Sequence, residues 1–233
     1  MTEADWLSSP DLRVLRQCVF RNVDPVSTRK VRLFVVACCR KIWPLLTDPR
    51  SRAAVELAEA LADGMASKPS VMACRKAARA AFSELSERRA GGGVVMAARA
   101  AAETLAPGRQ ETGAASDHAA SAAVSLRHYD GPVRPSTIWH EDIEAEQREQ
   151  VPFFRDIFSN PFRPVTFDPR WRTSDAVGLA RAIYDDRTFD RLPILADALI
   201  DAGCDDEQVL AHCRSEGPHV RGCWVVDLVL GRE

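Results

Sequence analysis

Residues Ser27 to Leu46 read STRKVRLFVVACCRKIWPLL, and this stretch decides the fold. Val31, Phe34, Val35, Cys38, Ile42 and Leu45 recur at the spacing of one helical face. Leu33, Val36 and Ala37 fill the other side, so the middle of this helix is expected to be buried nearly all round. Arg29, Lys30, Arg32, Arg40 and Lys41 are expected to keep its two ends wet. Ser27 is the expected N-cap, although Lys30 stands where a capping box needs an acid or amide. Pro44 loosens the last turn, because its ring displaces a backbone hydrogen bond. Cys38 and Cys39 are neighbours that point about 100° apart on a helix, which argues against a bond between them.

Working outward, helical signals continue. Asp48-Pro49 supplies a cap and a first-turn proline for a helix that runs to Asp63 and stops at Gly64. A third helix runs from Pro69 to just before Gly91-Gly92-Gly93, a triplet that reads as a linker. The middle of the chain is alanine-rich. Ala77-Ala78-Arg79-Ala80-Ala81 recurs as Ala97-Ala98-Arg99-Ala100-Ala101 and as Ala119-Ala120-Ser121-Ala122-Ala123, each followed by a leucine (Leu85, Leu105, Leu126). One helix and one turn fit that period, and so does plain helix propensity in a bundle. Pro107-Gly108 and Gly113 are expected to separate the copies.

His128 to Pro135 reads as a loop. A helix from Thr137 to Phe158 follows, charged in its first half and apolar in its second. Asn160 to Val165 is extended, because each proline forces its predecessor out of the helical region. Helices are expected over Ser174–Asp186, Phe189–Ala202 and Asp205–Arg214, with Gly203 ending one and Asp205 capping the next. The expectation is an all-α bundle of about nine helices, possessing an N-terminal subregion (1–128) and a C-terminal subregion (137–233) within one compact unit.

Composition narrows the function classes. A chain of 233 residues can bury about 70% of its unfolded surface and needs no staple to fold. The net charge of −2 and pI of about 6.2 provide no global basic field for nucleic acid or anionic lipid. No apolar run reaches the length of a bilayer span, so no membrane partner is expected. The acidic start, Met1 to Trp6, is the wrong composition for a secretory signal. Seven cysteines, an odd number set partly within helical patterns, favour a reducing cytoplasm.

Several strings are similar to those of a known group of proteins: MTEADWL at the start, RKVRLFVVACCRKIW, RDIFSNPFRPV, AIYDDRTFDRLPILADALIDAGC and HCRSEGPHVRGCWVVDLVLG at the end. They resemble an uncharacterised family expanded in planctomycete bacteria, over roughly residues 1–60 and 150–233. The resemblance implies no activity and carries over no catalytic residue. It implies a short C-terminal unit that stands beside other modules, which suits an interaction role.

Four groups of residues are candidates for chemistry. Cys204, Cys213, His219 and Cys223 form the best tetrahedral set for zinc, a metal that accepts such ligands. They lack the Cys-x2-Cys knuckle of a strong zinc signature, and the competing reading packs Cys204 and Cys213 into the core. Asp197 and Asp201 share a helix face within an acid-rich segment and offer paired carboxylates. Caps and a solvated face account for most of those acids. Cys213 beside His212, or Cys223 four after His219, offers a thiolate pair. Arg155, Arg163, Phe162 and Trp171 stand in a run of arginines and aromatics of the kind that grips a partner or single-stranded nucleic acid. Overall acidity argues against nucleic acid. The expected function is a non-catalytic protein-interaction or scaffold module without a cofactor, and the alternative is a metal protein or enzyme centred on Cys204, Cys213, His219 and Cys223.

Overall fold

A computed structural model describes residues 1–22, 26–106, 109–128 and 136–232. Among the described residues there are thirteen α-helices, three short 3-10 turns and no strand. The all-α class is as expected, and nine helices is an undercount. Two of the additional helices, α1 (Glu3–Ser8) and α13 (Trp224–Leu230), are only six and seven residues long, too short to display a helical period. A third arises because the expected helix over Thr137–Phe158 is two: α8 (Ser136–Arg148) and α9 (Val151–Phe158). Pro152 sits in the first turn of α9, where its missing N–H costs nothing, so it starts a helix here rather than interrupting one.

Two hydrophobic cores organise the chain. The first is centred on α3 (Thr28–Lys41), in which every residue from Val31 to Cys39 is buried. Around it pack α1, α2 (Leu12–Asn22), α4 (Pro49–Ala62), α5 (Lys68–Glu87), α6 (Gly92–Glu103), α7 (Arg109–His128) and α9. Ser27 caps α3 through the backbone N–H of Lys30, and Pro44 falls in a 3-10 turn after it. Arg32, expected at a wet end, is instead buried and donates to the carbonyls of Thr104 and Ala106. Hydrogen bonds to the carbonyls of Thr104 and Ala106, at the end of α6, make the guanidinium's burial tolerable.

The three alanine copies fall on α5, α6 and α7 in turn. Ala78 and Ala81, then Ala97, Ala98, Ala100 and Ala101, then Ala119, Ala120, Ala122 and Ala123 are buried, and small side chains let these helices approach closely. Gly113 does not separate copies, because it lies inside α7. Gly92 and Gly93 open α6 rather than forming a linker, and Gly91 is its N-cap. Pro107-Gly108 and, apart from His128, the expected loop of 128–135 lie outside the described residues.

The second core comprises α10 (Ser174–Asp186), α11 (Leu192–Asp201), α12 (Glu207–Arg214) and α13. Leu195, Leu199, Trp224 and Val225 are buried there, as Phe34, Val35, Cys38 and Ile42 are in the first. Asp206, not Asp205, caps α12, accepting from the N–H groups of Gln208 and Val209. Phe154, Ile157 and Phe158 of α9 belong to the first core, and Trp171 belongs to the second. The cores meet closely at Gly222, which is buried with φ +95°. A Cβ there would lie 3.0 Å from Leu33 and 3.4 Å from Ile157, so only glycine fits both the backbone and the space.

Candidate functional site

The densest group of chemically capable side chains lies where α9, α12 and the segment before α13 converge. Ligand-type atoms of Asp156, His212, His219 and Cys223 all come within 4.8 Å of one another. The structure therefore brings together two of the four sequence-derived candidates, His219 and Cys223, with two residues outside that set. Cys204 and Cys213 are buried side chains of the second core and are not in the group.

Asp156 is the centre. It is buried on α9, in the otherwise apolar half of the segment VPFFRDIF. His219 Nδ1–H donates to its Oδ1 at 2.7 Å and His212 Nε2–H donates to the same oxygen at 3.0 Å. The backbone N–H of Val220 donates to Oδ2 at 2.9 Å. Burial disfavours the carboxylate, yet the hydrogen bonds of the two histidines and the charge of His219 hold its pKa below the ordinary 3.8.

The neighbours fix the histidine tautomers. Trp224 Nε1–H, which can only donate, lies 3.1 Å from His212 Nδ1. That nitrogen must accept, so the proton of neutral His212 sits on Nε2, facing Asp156 and, at 3.3 Å, the sulfur of Cys223. His219 is different. Its Nδ1 faces Asp156, and its Nε2 faces the carbonyl of Ser215 at 3.2 Å, so both nitrogens have acceptors and the imidazolium is served on each side. Burial opposes that charge, but the Asp156 hydrogen bond and charge, with the Ser215 carbonyl, raise its pKa above the ordinary 6.5.

This pattern bears on both chemical readings. A metal on His212 Nε2 needs that lone pair free and the proton moved to Nδ1, where it would oppose the Trp224 N–H. Metal-ligating histidines instead give their second N–H to an acceptor. A thiol nucleophile fares no better. Burial pushes the Cys223 thiol well above its ordinary 9 and the Cys213 thiol up to about 12. No cysteine is in a disulfide. Asp156 and Cys223 both address His212 Nε2, whereas a catalytic triad divides nucleophile and carboxylate between the two ring nitrogens.

Two further polar groups tie the cores together. Arg29 on α3 makes a bidentate pair with buried Asp227 on α13, at 2.5 and 3.0 Å, and donates to Tyr184 of α10 at 2.9 Å. Tyr184 O–H in turn donates to Asp63, just after α4, at 2.7 Å. Glu59 on α4, also buried, accepts from Arg40 through both oxygens and pairs with Arg187 beyond α10.

The remaining candidates separate into inward and outward residues. Arg155 donates to the carbonyls of Trp6 and Ser9, tying the end of α1 to α9. Trp171 is buried in the second core and packs edge-on against Phe167. Phe162 and Arg163 are exposed, Arg163 pairing with Glu3. Asp197 and Asp201 lie on the solvated face of α11, with Asp197 pairing to Arg214. Asp156 and Asp227 were the residues that sequence reasoning passed over. Their signal is a lone carboxylate inside an apolar helical run, which burial obliges to find a partner. Among the described residues no helix is long and apolar enough to cross a membrane. No family model, curated protein or solved structure matches the chain.

Proposed function

We propose that this protein is a non-catalytic interaction module that presents the outer face of α11 to a partner protein carrying a basic segment. The observation that carries the reading is the composition of that face. Leu192, Leu195, Ala196 and Leu199 face the second core, while Pro193, Ile194, Asp197, Ile200 and Asp201 are exposed on an arc of about 120°. Ile194 is 53% and Ile200 42% exposed, so two apolar side chains stand on this face. Carboxylates stand between and around them. The segment 185–207 holds eight acids against Arg187 and Arg191. Apolar anchors surrounded by one sign of charge suit a partner of the opposite sign. The resemblance to a family whose C-terminal unit stands beside other modules points the same way.

The Asp156 group is, in this reading, a structural knot. Its carboxylate is satisfied by three internal donors, and its thiol is buried and protonated. The test is affinity capture with the whole protein as bait in extract of its native host, followed by reconstitution with the purified partner. The reading expects a partner whose binding weakens with added salt and is lost in an Ile194→Arg, Ile200→Arg variant of unchanged helicity. A partner held equally well by that variant, or no partner that reconstitutes, contradicts it. The second reading, a metal centre on Asp156, His212, His219 and Cys223, draws on the convergence of four ligand atoms. It requires the Trp224–His212 hydrogen bond to break.

A further inference from the structure

Between the two cores, beside Leu33, lies a cavity of about 270 Å³. Its volume is just below the ~300 Å³ at which ligand pockets usually begin, so its occupant is small. Its lining includes apolar side chains: Val36 of α3, Phe153 of α9, Phe189 after α10 and Val220 before α13. It also includes a cluster of guanidinium groups. Arg40, Arg187 and Arg221 all line it, and Glu59 is the acid among them. Arg40 takes both Glu59 oxygens, Arg187 shares one of them, and Arg221 reaches the same oxygen only at 3.8 Å. Asp185, 58% exposed, adds a second acid 3.8 Å from Arg221 on its outer side. Three cations against these two acids leave positive charge in excess beside an apolar surface. Lys41 and His219 are also in the lining, Lys41 paired with Glu146 and Glu149 and His219 with Asp156.

Arg187 carries a second mark. It follows the last residue of α10 in the left-handed region, φ 55° and ψ 32°, where glycine is usual and a side chain is strained. An arginine held there, with its head at Glu59, has been placed for its side chain and not for its backbone. Its side chain remains 43% exposed, so the Glu59 pair does not seal it from a newcomer.

From this arrangement we infer that the cavity binds a small monocarboxylate with an apolar body. The carboxylate pairs with Arg187 and Arg221, and the body lies against Phe153, Phe189 and Val220. Planar guanidinium forks match carboxylates in two-point contact, and the apolar side chains reject a fully hydrated inorganic anion. The inference stands apart from the α11 surface, because the cavity lies between the cores.

The test is titration of the whole protein with 3-phenylpropionate and with 3-phenylpropan-1-ol, which keeps the body and removes the charge, by calorimetry or by NMR. Saturable one-to-one binding of the carboxylate is expected, at least about tenfold tighter than the alcohol, the ratio that one charge-assisted contact provides. Arg187→Gly suits the left-handed backbone and should keep the fold while weakening the carboxylate at least about fivefold and leaving the alcohol unchanged. Equal binding of acid and alcohol, no saturable binding of the acid, or a folded Arg187→Gly variant with unchanged affinity overturns the inference. Should Arg187→Gly not fold, the acid and alcohol pair on the wild-type protein decides.

Discussion

Asp156 and His219 stand 63 positions apart and meet at 2.7 Å where the two cores join. Both side chains are almost wholly buried, at 3% and 6% exposure. The carboxylate also receives His212 and the Val220 amide, so a single acid on α9 holds α12 and the segment leading into α13. Arg29–Asp227, Tyr184–Asp63 and Arg187–Glu59 are further ties across the junction.

Asp156→Ala is predicted to destabilise the protein by about 3–5 kcal/mol, because it strands a buried imidazolium and an amide without an acceptor. Denaturant titration measures this. A loss below about 1 kcal/mol, the value of an exposed pair, would show that the group is not buried in solution.

The same pair predicts a pH profile. His219 has its pKa raised above 6.5, so its contribution is complete below that value and is lost as pH rises through the folded value. Asp156 has its pKa lowered below 3.8, so its contribution is present above that value and is lost as pH falls through the folded one. The cations of the cavity, Arg40, Lys41, Arg187 and Arg221, oppose the His219 charge, and Glu59 supports it. The stability gap between wild type and His219→Gln should therefore be widest between pH 3.8 and 6.5 and narrow above. A gap that stays constant from pH ~5 to ~8 contradicts the assignment of an imidazolium.

Much of the fold was legible because it rests on local periodicity. The pattern in Ser27–Leu46 showed a helix buried all round, and caps such as Ser27 and Asp48 are local too. Half of the candidate group was legible for a similar reason, since His219 and Cys223 are close in sequence. Asp156 is not. Its partners lie 56 and 63 residues away, and no local signal links them. The split of the expected Thr137–Phe158 helix was not legible either, because the charged α8 and the apolar α9 follow each other with only two residues between them.

Gly222→Ala is predicted to be poorly tolerated. A side chain at φ +95° is strained, and the new methyl meets Leu33 at 3.0 Å. Each effect costs about 1–3 kcal/mol. Thermal unfolding tests it, and a melting temperature equal to the wild type would mean that the cores are not apposed at this residue.

Leu199→Ala reports on the second core alone. Leu199 is fully buried, and the change should cost about 2–5 kcal/mol through lost transfer energy and a cavity. A loss below about half a kcal/mol would show that α11 does not pack as described.

Metal content tests most directly whether the Asp156 group is a hydrogen-bonded knot. Protein purified from cells without added metal should contain well under one equivalent of zinc, with His212 protonated on Nε2 as Trp224 requires. One tightly held equivalent of zinc, lost together with the folded state when a chelator is added, would contradict the account and establish the metal centre in its place.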